Sequence, residues 1–130
     1  MIFKYEKQFQ MEFKKWLAKN PPETTEVHEL KLVKTGNFPI HQWITKNPHQ
    51  ARGLMGSKKN GCYHKLSDMS RDLKPFDSFF IKGAKAYLVV YFNKQEQFVF
   101  IDIDVAISLT KTHKTISFEA LEKIGKTYSL

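Results

Sequence analysis

Apolar residues recur at helical spacing near the start of the chain. Tyr5, Phe9, Phe13, Trp16 and Leu17 share one face of a helix over residues 4–19, which Asn20-Pro21-Pro22 stops. The period then drops to two. In Thr25–Lys34, Val27, Glu29, Lys31 and Val33 point one way, while His28, Leu30 and Leu32 point the other. This predicts a strand with Leu30 and Leu32 toward the core. A loop through Thr35-Gly36-Asn37-Phe38-Pro39 follows. Asn47 then caps, and Pro48 opens, a short helix over 48–56, which Gly53 and Gly56 weaken.

Strand patterns dominate the next stretch. Gly61–Ser67 is followed by a polar connection, Asp68-Met69-Ser70-Arg71-Asp72, and by the strand Phe76–Lys82. A turn at Gly83-Ala84-Lys85 leads into Ala86–Phe92, an uninterrupted apolar run expected to be a central strand buried on both faces. Asn93–Glu96 turns the chain back into the strand Gln97–Ile103. Asp104 is expected to cap a helix over Val105–Leu109. Ser117 is expected to cap another over Phe118–Lys123, ended by Gly125. The expected fold class is therefore α/β, a mixed central β-sheet flanked by helices, in a single domain over 1–130.

Composition narrows what such a domain does. The 130 residues are 42% hydrophobic and include eleven Phe and two Trp, which excludes a disordered tail. A formal net charge of +8 favours a polyanionic partner, nucleic acid before an anionic membrane. The one cysteine, Cys62, allows no intramolecular disulfide and suits a reducing, cytoplasmic setting. No segment has the roughly 18 apolar residues of a membrane span, and the first residues lack a signal-peptide core. The five histidines show no paired metal spacing, and of them only His49 is placed near a candidate site.

That candidate site begins at Glu29-Leu30-Lys31. A carboxylate and an ammonium two residues apart project from one strand face, where Glu29 is able to bind a divalent cation and Lys31 to face a water or a phosphate. The bland reading of the same triplet is a solvated ion pair of little worth. Other polar candidates are Glu12, at the edge of the first helix's apolar stripe, with Gln50, Asp68 and Asp77.

Four stretches, in order, resemble the PD-(D/E)xK nuclease superfamily, nearest to its small phage and RecU-like Holliday-junction-resolving branch. They are the first helix with Glu29-Leu30-Lys31; Phe38-Pro39 with His49-Gln50; Tyr63-His64-Lys65-Leu66-Ser67-Asp68 with Lys74-Pro75-Phe76-Asp77; and the strands Ala86–Phe92 and Phe98–Ile103. The resemblance implies a restriction-endonuclease-like core over about 3–105, with a C-terminal helical extension over 106–130. It makes Glu29 a metal-binding acid, the Leu30 carbonyl a further ligand, and Lys31 the group that orients water or stabilises charge on phosphate. Gln50 would act near the scissile phosphate, and Glu12 would be a helix carboxylate reaching the metal shell. The chain departs from the family in one respect: no hairpin acid precedes the signature strand. Asp77 is the substitute and Asp68 its rival, so the catalytic hairpin would be moved along the chain.

The implied activity is Mg²⁺-dependent hydrolysis of DNA phosphodiesters, with Mn²⁺ as a substitute, by a homodimer selective for branched DNA in a bacterial, archaeal or phage-infected cell. Magnesium prefers hard oxygen ligands such as Glu29 and Asp77. Lys34, Arg52, Lys65, Arg71 and Lys74 would contact phosphates, which position the protein without specifying sequence. The alternatives are a non-catalytic nucleic-acid-binding phage accessory protein on the same fold, and a module binding an acidic protein.

Overall fold

Phe9 and Phe13, one helical turn apart and both buried, fix the first element. In the computed structural model, helix α1 spans Glu6–Lys19. The structure describes residues 1–65, 78–81 and 83–130, and of 62–65 and 78–81 it describes only the backbone. Gln8 closes the start of α1, its Oε1 accepting from the Lys4 and Tyr5 backbone N–H groups at 2.9 Å each. Tyr5 precedes the helix and is exposed, so it does not belong to the buried stripe. At the other end the Asn20 backbone and side chain both donate to the Trp16 carbonyl.

Strand β1 (Glu26–Val33) follows, then helices α2 (Ile40–Lys46) and α3 (Pro48–Asn60). An antiparallel hairpin pairs β2 (Cys62–Lys65) with β3 (Ser78–Ile81). Strands β4 (Lys85–Phe92) and β5 (Gln97–Asp102) are followed by helices α4 (Ile103–Thr110) and α5 (Phe118–Ile124) and by strand β6 (Lys126–Ser129). The main sheet has the order β1-β4-β5-β6. β1 runs parallel to β4 through the α2–α3 crossover, and the other neighbours are antiparallel. The chain is thus α/β with a mixed sheet flanked by helices, as the pattern predicts.

The two sheet faces differ in chemistry. On one, Ala86, Leu88, Val90, Val99 and Ile101 meet residues of α2 to α5, among them Ile40, Leu54, Ala106 and Leu121, in a mainly aliphatic core. On the other, Phe3, Phe9 and Phe13 pack on Val89, Tyr91 and Phe98 in an aromatic one. Strand β4 serves both faces and is almost wholly buried, as its unbroken apolar run predicts. Strand β1 also serves both. Val27 and Val33, on the Glu29/Lys31 side, pack in the aliphatic core, so Leu30 and Leu32 do not hold the only core-facing side.

Several elements depart from the sequence pattern. Helix α2 carries no side-chain cap, and burial of Ile40 and Trp43 holds its seven residues. Helix α3 runs past residue 56 to Asn60, because buried Ala51 and Leu54 outweigh the propensity cost of Gly53 and Gly56. The cap of α4 is Asp102, whose Oδ1 accepts from the Asp104 N–H at 2.9 Å, and not Asp104. Ser117 caps α5 as expected. The expected helical extension ends in a strand, β6. Gly125 lets the chain enter it: a Cβ there would lie 2.3 Å from the Phe100 carbonyl oxygen. Among the described residues, no helix is long and apolar enough to cross a membrane.

Candidate functional site

Strand β1 lies at one edge of the main sheet, and that position exposes part of its Glu29/Lys31 face. Register with β4 puts Glu29 opposite Leu88 and Lys31 opposite Val90, so both side chains emerge on the aliphatic-core side. Val27 and Val33, one step outward on either side, pack into that core and fix the strand's rotation. The polar pair is thus held by apolar neighbours of the same strand.

The Lys31 ammonium lies 3.7 Å from a Glu29 carboxylate oxygen and 3.9 Å from one of Glu6, in the first turn of α1. Both distances describe ion pairs and exceed a hydrogen bond. The lysine side chain is 16% exposed and that of Glu29 is 28% exposed. Burial pushes the Glu29 carboxyl above its usual range. The Glu6 charge pushes the same way, while Lys31 and, more weakly, His49 pull it down. A cation brought to this point would relieve both the burial penalty and the carboxylate–carboxylate repulsion.

A cleft of about 270 Å³ opens beside Lys31 and runs between β1 and α2. Phe38 and Trp43 form its apolar wall, and Gln42, Lys46 and Asn47 add polar groups. The cleft gives Lys31 access to a molecule arriving from outside, with Lys46 as a second cation in reach of it. Gln50 sits on α3, half-buried, where its Oε1 accepts from the Trp43 indole N–H at 2.9 Å. That bond ties the side chain to the cleft wall.

No protein-family model, curated protein or solved structure matches this chain. What the site does has to come from its own chemistry.

The structure brings together Glu29, Lys31 and the His49 charge, and it adds Glu6, Trp43 and Lys46, which the sequence pattern does not single out. Glu12 lies elsewhere on α1 and pairs with Lys15 at 3.4 Å. Six residues separate Glu6 from Glu12, about 240° of helix rotation, so the two carboxylates face different sides. Leu30 points its side chain into the aromatic face. Lys34 is exposed just beyond β1, its ammonium 5.7 Å from the Tyr5 ring centre, and Arg52 is exposed on α3. Lys65 is the last residue of β2 and pairs with Ser78. Asp68, Arg71, Lys74 and Asp77 lie outside the described residues.

The donor set suits a hard divalent cation in kind, since Glu29 and Glu6 offer carboxylate oxygens. In number it is short. Among the described residues no three His, Cys, Asp or Glu side chains converge closely enough to hold an ion. A complete shell needs an acid from the 66–77 segment. Asp77 directly precedes β3 in the sequence and is the candidate, with Asp68 as its rival.

Proposed function

We propose that this chain is a Mg²⁺-dependent DNA endonuclease on a restriction-endonuclease-like core, acting as a homodimer on branched DNA of the Holliday-junction type. One observation carries the reading: a half-buried Glu29 carboxylate with the Lys31 ammonium 3.7 Å away, on one face of an edge strand. The pair opens onto a cleft that holds a second lysine. The net charge of +8 supports a polyanionic substrate.

In this reading Glu29 and Asp77 hold the cation, with the Leu30 carbonyl as a further ligand. Glu6 is the α1 carboxylate nearest the pair, in the role the resemblance gave to Glu12. A bound divalent cation supplies a water of lowered pKa and neutralises charge on the phosphate. Lys31 then faces the phosphate oxygens and stabilises charge as it develops. Glu6 and Glu29 hold its ammonium in place. Gln50, anchored by Trp43, presents its remaining amide N–H groups toward the substrate. Lys34, Lys46 and Arg52 contact the flanking phosphates. Cutting both strands of a symmetric junction needs two such sites, hence the homodimer.

The test is a gel assay on a four-way junction and a matched linear duplex, in Mg²⁺ or EDTA, with the wild type and Glu29→Ala. The reading expects metal-dependent cutting of the junction that the substitution abolishes. Cutting of both DNAs would keep the nuclease and remove the junction preference. Tight binding without cutting in Mg²⁺ or Mn²⁺ would overturn catalysis and favour a nucleic-acid-binding accessory protein.

A further inference from the structure

Each strand of the main sheet contributes one ring to a continuous aromatic row on the face opposite Glu29 and Lys31. His28 on β1 stacks on Tyr87 of β4 with ring centres 6.4 Å apart. Tyr87 meets Phe100 of β5 at 5.5 Å, and Phe100 meets Tyr128 of β6 at 5.5 Å. Trp16, near the end of α1, lies 5.1 Å from Tyr128 and closes one side of the row. Helix α1 ends at Lys19, and the chain leaves through Pro21-Pro22, so this end of the aromatic face has no helix over it. Trp16, Tyr87 and Phe100 remain partly exposed, and Tyr128 is 37% exposed. They line a cavity of about 730 Å³.

We propose that this row is a stacking platform for unpaired bases of a single-stranded nucleic acid. Flat, partly exposed rings offer π-faces that any base is able to cover. The cavity has the volume of a small-ligand site, enough for one or two nucleotides but too small for a duplex. Charge decides between a nucleic acid and a cationic peptide. Of the carboxylates on the rim, Glu26 accepts from His28 at 3.0 Å, and Asp102 takes the Lys58 ammonium at 2.8 and 3.0 Å. Glu23 is the remaining one. Lys85 and Lys126 stand exposed on the same rim, in position for backbone phosphates. The whole chain, at +8, repels a basic peptide and attracts a polyanion. The platform depends on no step of the cleavage reading, and it is tested without metal.

Binding of a labelled oligothymidylate of about eight nucleotides and of a hairpin duplex is measured by fluorescence anisotropy in EDTA. The wild type, Tyr128→Ala and Tyr128→Phe are compared. Tyr128→Ala is expected to weaken single-strand binding roughly tenfold, the scale of losing one stacked base. Tyr128→Phe, which keeps the ring, is expected to retain it. Photocross-linking with a 5-iodouracil oligonucleotide and mass spectrometry, performed on the wild type, is expected to place adducts on Trp16, Tyr87, Phe100 or Tyr128. Unchanged affinity in Tyr128→Ala, or adducts confined to other residues, would overturn the platform. So would an arginine-rich peptide that binds more tightly than the oligonucleotide and needs the Tyr128 ring.

Discussion

The two faces of the sheet solve the same burial problem with different means. On the aliphatic face, helices α2 to α5 cover a single sheet. Only the free edge of β1 stays open there, and it carries Glu29 and Lys31. On the aromatic face a single helix, α1, does the covering, and large rings make up for its narrow footprint. A single helix does not span four strands, so the β6 side of the rings remains open. In each case the functional candidate lies where cover runs out: a charged pair at a strand edge, and an aromatic row past a helix end.

The contrast is broken most directly by truncating one large side chain on each face. Phe9→Ala and Leu88→Ala both remove fully buried side chains, at an expected cost of about 3–5 kcal/mol for the first and about 2–5 kcal/mol for the second. They are expected to differ in how the molecule fails. Phe9→Ala should release α1 below the global transition, seen as early loss of helical circular dichroism in urea. Leu88→Ala should lower one cooperative transition. Identical single transitions for both would remove the distinction between the faces.

A smaller effect is expected where the N-terminal segment meets the sheet. Asn93 is buried, and its side chain accepts from the Phe3 N–H at 2.9 Å and donates to the Phe3 carbonyl at 2.7 Å. Asn93→Ala leaves both backbone groups unpaired and should cost about 1–3 kcal/mol in chemical denaturation. The loss should be confined to protection of the first residues and α1 in hydrogen exchange. Smaller again, Asp102→Ala removes the α4 cap and should cost about 1 kcal/mol. Its ion pair with Lys58 is partly exposed and adds little.

Most of this layout was legible in the sequence. The apolar run from Ala86 and the alternation around Glu29 carry strong periodic signals, and the structure keeps both as strands. Helix α2 and strand β6 carry none. Ile40 and Trp43 become buried only through tertiary packing, and Lys126–Ser129 is largely polar and exposed, held by pairing with β5. The site was half legible. Glu29 and Lys31 share a face by strand geometry alone. Which α1 carboxylate approaches them depends on how the helix is rotated on the sheet, and residue spacing does not encode that. Glu6 therefore went unnoticed beside Glu12. The aromatic row was hidden for the same reason, since its four rings come from strands far apart in the chain.

The smallest stability effect is the most telling for the site. Glu29 has a raised carboxyl pKa in the folded chain, with burial as the main cause. The carboxyl's contribution to stability is therefore fully present below its unfolded value of 4.5 and is lost as pH rises through the folded value. Glu29→Gln should then be slightly more stable than the wild type at neutral pH, by less than about 1 kcal/mol after solvent screening. That advantage should vanish below pH 4.5. Lys31 keeps Glu6 as a partner in the variant. A variant that gains stability while losing cutting marks a residue kept for chemistry; a Glu29→Gln variant that loses stability at neutral pH would mark a structural ion pair.

The central claim is that Glu29 is poised to bind a divalent cation. It is tested most directly by following the Glu29 carboxyl carbon by NMR through a pH titration, in EDTA and in Mg²⁺, with Glu29→Gln assigning the signal. The expected result is a midpoint above 4.5 in EDTA that moves down when Mg²⁺ is added, because the cation stabilises the ionised form. A midpoint that Mg²⁺ leaves unmoved would contradict the claim and return Glu29 and Lys31 to the status of an ion pair at a sheet edge.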